Sequence, residues 1–110
     1  MKYLFFCFIF AFCLVGLLEG AVFYKESIVV GDTPIGVSST AKEPSLTSCF
    51  ISVEGGDVRF WIDGTSPTSL VGHLLADGEF LNIRGINNIL NLSFIRTGSV
   101  TTTLRVSYEK

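Results

Sequence analysis

The stretch from Arg59 to His73 reads RFWIDGTSPTSLVGH. With Val58 before it, the stretch opens as a strand. Val58, Phe60 and Ile62 fall on one face, and Arg59, Trp61 and Asp63 on the other, the two-residue period of a pleated chain. The strand breaks at Asp63-Gly64, where glycine relieves the restriction on φ and aspartate can accept hydrogen bonds from the backbone of Thr65 and Ser66. Pro67 stiffens the polar segment Gly64 to Ser69, and a short apolar run, Leu70 to Leu75, follows around Gly72 and His73. Strand, corner and short strand in this order point to an antiparallel β fold.

The flanking segments agree with it. In TSCFISV, Thr47 to Val53, residues Cys49, Ile51 and Val53 share a face, and Phe50 lies on the other with Ser48 and Ser52. Phe80 to Arg84 is expected as a strand with Leu81 and Ile83 facing the core, and Ile89 to Arg96 as one with Leu90, Leu92 and Phe94 together. Val100 to Tyr108 alternates over its whole length. Upstream, Ser27 to Val30 reads as a strand, Ile35 to Val37 as a short edge strand, and Ser38 to Ser45 as a polar loop. Turn residues separate these runs: Gly31 to Pro34, Ala76 to Glu79, Gly85 to Asn88 and Thr97 to Ser99, with Glu54 to Asp57 expected as a hairpin loop. No stretch after residue 22 keeps a helical period over three turns. The expected fold is all-β, a small antiparallel β-sandwich of jelly-roll-like or barrel-like form.

The first residues have a different composition. Lys2 is followed by 16 apolar or uncharged residues, Tyr3 to Leu18, holding five of the ten Phe and two of the three Cys. One basic residue, an apolar run shorter than the roughly 20 residues of a spanning helix, and then Glu19-Gly20-Ala21 have the form of a secretory signal peptide. Residues 1–21 are therefore expected to form an apolar helix acting as a signal peptide or membrane anchor, and residues 22–110 to form the β domain. Without Lys2 and Glu19, the eight basic and ten acidic residues become seven and nine, so the domain keeps a net charge of −2. These charges are scattered, and neither a nucleic-acid stripe nor a polybasic membrane patch is formed.

Candidate chemistry is sparse. His73 is the only histidine, with Ser66, Ser69 and Asp63 near it in sequence. A nucleophile–base–acid site needs hydrogen-bond geometry rather than nearness, and a loop histidine is the expected reading. A structural zinc site usually takes four Cys or His ligands, and the β domain holds only Cys49 and His73. Cys49, which alternates with polar neighbours in TSCFISV, is expected as a buried thiol. Asp57, Asp63, Asp77 and Glu79 lack the close alternating spacing of a calcium loop. No catalytic, metal or cofactor residue is assigned, and no small-molecule substrate. Trp61, outward beside Arg59 and Asp63, is the one candidate contact aromatic, for a protein or a carbohydrate. Asn91-Leu92-Ser93 is a formal glycosylation sequon.

The segments VRFWIDGTSPTSLVGHLLADGEFLNIRG and NLSFIRTGSVTTTLRVSYEK resemble a family of small tailed-phage and prophage proteins of hypothetical or structural annotation. The matching residues are Asp63, Gly64, Thr65, Pro67, Thr68, Gly72, His73, Gly78, Phe94, Ile95, Arg96 and Leu104, within a span from about Ser27 to Lys110. The resemblance implies a compact β-sandwich, a structural role in a virion and self-association or a protein partner, and it carries no catalytic residue. Such proteins have no signal peptide, so the chain is expected to be secreted or membrane-anchored if the N-terminal segment is a signal, and virion-associated otherwise. Asp63, Gly64, Thr65, Pro67 and Thr68 are expected to fix a corner of the fold, with Arg96 bridging to Asp63 or Asp77.

Overall fold

The computed structural model describes residues 22–42 and 44–110. The apolar segment 1–21, expected as a signal or anchor, lies outside the described residues. The described residues form seven strands: β1 (Val22–Val30), β2 (Ser48–Glu54), β3 (Val58–Trp61), β4 (His73–Leu75), β5 (Phe80–Arg84), β6 (Ser93–Arg96) and β7 (Thr102–Glu109). They form a four-stranded sheet in the order β1-β7-β2-β5 and a three-stranded sheet in the order β4-β3-β6. Every pairing between these strands is antiparallel.

The alternation seen in the sequence sets which face is buried. Along β2, Cys49, Ile51 and Val53 point inward and Phe50 is exposed. Along β7, Thr102, Leu104, Val106 and Tyr108 point inward. From the smaller sheet come Val58, Phe60, Leu75 and Phe94, and these residues share one core with the larger sheet. Phe60 and Phe94 pack against each other across β3 and β6, tilted, with ring centroids 5.6 Å apart. The segment between β1 and β2 is not a plain polar loop. It holds a single 3₁₀ turn, Ser39–Ala41, and buries Ala41 and Leu46 against the core.

Two expectations are corrected. Glu54 to Asp57 does not close a hairpin, because β2 and β3 belong to different sheets and the loop crosses between them. Asp and Gly residues suit any sharp turn, so the composition did not distinguish the two. The expected turn Gly85 to Asn88 and strand Ile89 to Arg96 resolve into a short helix, α1 (Ile86–Leu90), followed by β6. Ile89 and Leu92 are buried while Leu90 is 39% exposed, so the spacing that fits the interior here is a helical turn rather than a strand. The Ile35 to Val37 run contributes one bridge, in which Ile35 N donates to Phe94 O at 2.9 Å and Phe94 N to Ile35 O at 2.8 Å.

At the Cys49 end the core contains a polar group. Tyr108, fully buried, donates its hydroxyl to Glu26 Oε2 at 2.5 Å, and Ser38 Oγ donates to the same oxygen at 3.0 Å. Tyr24 stacks on Tyr108 at 5.9 Å. Burial first, then the bond to Glu26 and its charge, push the Tyr108 phenol far above its ordinary value. Replacing Tyr108 by Phe removes a donor from a half-buried carboxylate. Chemical denaturation of the Tyr108→Phe chain is expected to show a loss of about 1–3 kcal/mol, and an unchanged midpoint would contradict this role.

Cys49 pairs with Tyr108 across β2 and β7. Burial pushes its thiol up from 9.0 to about 11. A thiol whose folded pKa exceeds its unfolded one stabilises the fold fully below pH 9.0, and that contribution disappears as pH rises towards about 11. Stability curves across this interval should therefore fall for the native chain and fall less for Cys49→Ala, after allowing for the cavity that the substitution leaves.

Candidate functional site

β3 places Arg59 and Trp61 on the face opposite Val58 and Phe60, as its alternating burial requires. The chain beyond it folds back over Arg59. Thr65 N donates to Asp63 Oδ1 at 3.0 Å, and Gly64, at φ +87°, supplies the left-handed residue that this turn needs. Ser66 N does not join the Asp63 carboxylate, so the expected pair of bonds reduces to the one from Thr65. Gly64 N donates to Asn91 O at 3.2 Å, which ties the corner to the end of α1. Pro67 is buried. Thr68 N donates to Val71 O at 2.9 Å, while Thr68 Oγ1 accepts from Val71 N at 2.9 Å and Leu70 N at 3.3 Å.

Arg59 closes the loop from below. Its Nε donates to Ser69 O at 3.2 Å and its Nη1 to Gly72 O at 2.9 Å. A planar guanidinium with fixed donors suits two carbonyls on one loop. Gly72 has φ +138°, and a Cβ there would meet Arg59 Cβ and Phe60 O at 3.2 Å, so the close return of the loop onto β3 requires glycine. No local pattern marks this clamp, because Arg59 alternates outward like any solvent-facing strand residue.

The loop therefore holds a defined shape and turns apolar side chains outward. Leu70 is 83% exposed and Val71 55% exposed. Trp61, expected as an outward contact residue, is half-buried. Its ring meets His73 edge-on at 5.0 Å, and His73 also packs on Phe60 at 5.3 Å. His73 bonds neither Ser66 nor Ser69, so the structure does not assemble the residues of a triad.

The acidic residues considered for calcium have other partners. Asp57 Oδ1 accepts from Asp77 N at 2.8 Å, Asp77 Oδ1 from Gly55 N at 3.1 Å and Glu79 Oε1 from Ala76 N at 2.7 Å. The first two bonds join the β2–β3 loop to the β4–β5 turn, and the third lies within that turn. Among the described residues no group of three or more His, Cys, Asp or Glu is placed to hold a metal ion. Arg96 pairs with neither Asp63 nor Asp77, and the one ion pair among the described residues joins Arg105 Nε to Glu54 Oε1 at 2.7 Å. Arg96 instead uses its backbone N–H, which donates to Gly31 O at 3.0 Å.

The backbone and side-chain hydrogen bonds of Thr65 hold the Asp63 carboxyl below its ordinary 3.8. A depressed carboxylate stabilises the fold above its unfolded pKa, and that contribution is lost as pH falls through the folded value. An NMR titration should place the Asp63 midpoint below 3.8 in the native chain, and Thr65→Gly should leave it depressed through the backbone bond alone, with a smaller shift. A midpoint at or above 3.8 would remove the corner's internal bond. Compared with known proteins, the chain matches no family model, no curated protein and no solved structure.

Proposed function

We propose that the chain is a non-enzymatic structural or interaction module, a jelly-roll β-sandwich that works by assembling with protein partners or with copies of itself. The topology favours the jelly roll over a barrel. With the Ile35 bridge placed beside β6, the smaller sheet gains a fourth member, opposite the β1-β7-β2-β5 order. Successive strands then step between the sheets, except β3 and β4, which are neighbours in one sheet, as in two Greek keys.

The observation that carries assembly is the set of large apolar side chains left exposed on and beside the outer strands. β4 and β5 are outer strands of their two sheets and are joined by the Ala76–Glu79 turn. Leu70, Val71 and Leu74 are exposed at and before β4, with Leu74 at 53%, and Phe80 and Phe50 are exposed on the outer face of the larger sheet, with Phe80 at 68%. Large exposed apolar side chains are a feature of interaction surfaces. The resemblance to small phage structural proteins supports a virion-associated setting, and the apolar composition of residues 1–21 supports an exported one.

Carbohydrate binding through Trp61 has weaker support, because that ring is half-buried and packed by His73 rather than open as a platform. Light scattering on the purified chain is expected to give a mass above that of a single 12.0 kDa copy. A monodisperse monomer at the highest soluble concentration, with no partner recovered, would overturn the assembly reading.

A further inference from the structure

β5 bonds to β2 along one side and is otherwise the outer strand of its sheet. Val53 N donates to Glu79 O at 3.1 Å and Gly85 N to Thr47 O at 2.9 Å. These two bonds fix the alternation. Odd-numbered residues of this segment face β2, and Phe80, Asn82 and Arg84 turn their N–H and C=O groups to the open edge. Asn88 Nδ2 donates to Arg84 O at 2.9 Å. The side chains of the same three residues lie on the exposed face, opposite Ile83.

The segment FLNIR is complementary to its own reverse. Laid antiparallel to a second copy about Asn82, it sets Phe80 against Arg84, Leu81 against Ile83 and Asn82 against Asn82. The Phe80 ring is 68% exposed and leans on Phe50 on one side only, with centroids 5.4 Å apart. Arg84 has no carboxylate partner among the described residues. The pairing places this cation beside an aromatic ring at both ends of the strand, and a neutral amide lies on the axis. The register that sets Arg84 against Arg84 instead brings two cations together. Arg84 O keeps its bond from Asn88, since a carbonyl oxygen has two lone pairs.

We infer that two copies of this chain join through their β5 edges, antiparallel and about a two-fold axis at Asn82, so that two four-stranded sheets become one continuous sheet. The inference rests on the reading of the chain as an assembling module and names the surface and the partner. Open strand edges are templates for such pairing, and a two-fold interface asks one patch to complement itself.

The test uses the full chain with Cys7 and Cys13 replaced by Ser. An Asn82→Cys substitution brings two sulfurs together at the axis, where opposed residues of a hydrogen-bonded pair have Cα atoms about 5.5 Å apart, within disulfide range. Mild oxidation should give a covalent dimer, and Ser107→Cys on the same face should give none. Phe80→Arg sets like charges against each other and should raise the dimer dissociation constant at least about tenfold. Phe80→Arg combined with Arg84→Glu should restore it. If assembly persists unchanged in Phe80→Arg and no cross-link forms at position 82, the β5 interface is overturned while assembly stands. A native chain that remains monomeric overturns both.

Discussion

β7 holds the larger sheet together. It lies between β1 and β2 and bonds to both, and its inward residues Thr102, Leu104, Val106 and Tyr108 are all buried. Without it, β1 loses its one partner strand among the described residues, and β2 keeps β5. The core depends on the same strand. Tyr108 carries the largest fully buried side chain, and its hydroxyl brings Glu26 from β1 and Ser38 from the following loop to one point. The hydrogen bonds satisfy polar groups that burial would otherwise penalise. This arrangement fastens the N-terminal strand by its side chain as well as by its ladder.

The corner at Arg59 to His73 stands on a smaller version of the same logic. Among the described residues, β3 and β4 are the one pair of consecutive strands that are also hydrogen-bonded neighbours. The loop joining them is shaped by Asp63 at its start, Thr68 within it and Arg59 beneath it. What results is a fixed presentation of Leu70 and Val71, not a cleft. The chemistry-bearing residues gathered there in sequence are consumed by the architecture: Asp63 by a turn and His73 by aromatic packing.

The fold class was legible because β2 and β7 each bury one face completely. Cys49, Ile51 and Val53, and likewise Leu104, Val106 and Tyr108, display a clean period of two. Strand pairing was not legible. Six of the seven strands lie next in sequence to a strand of the other sheet, so local turn composition at Glu54 to Asp57 said nothing about partners. The run from Ile89 to Phe94 misled because its apolar residues satisfy both a strand and a helical turn, and the interior selects between them through Ile89 and Leu92. At the corner, the Asp63-Gly64-Thr65 turn could be read from three adjacent residues. The Arg59 clamp spans 13 positions and the Glu26–Tyr108 bond 82, and no local pattern encodes either.

The place of β7 between β1 and β2 also governs the order in which the fold can be completed. Closing the β1–β7 ladder joins Val22 to Glu109, so almost the whole described chain becomes the loop between its two ends. Contacts of such long range place a topology among slow folders. As the chain is synthesised, β1 and β2 exist with the slot between them empty from residue 54 until β7 begins at residue 102. Ile28, Val30, Cys49 and Ile51 then have no β7 beside them, and unpaired apolar strands in this state are prone to aggregation. Folding of the larger sheet must therefore follow synthesis of residues 102–109, and the chain's most hazardous interval is the one before its last strand arrives.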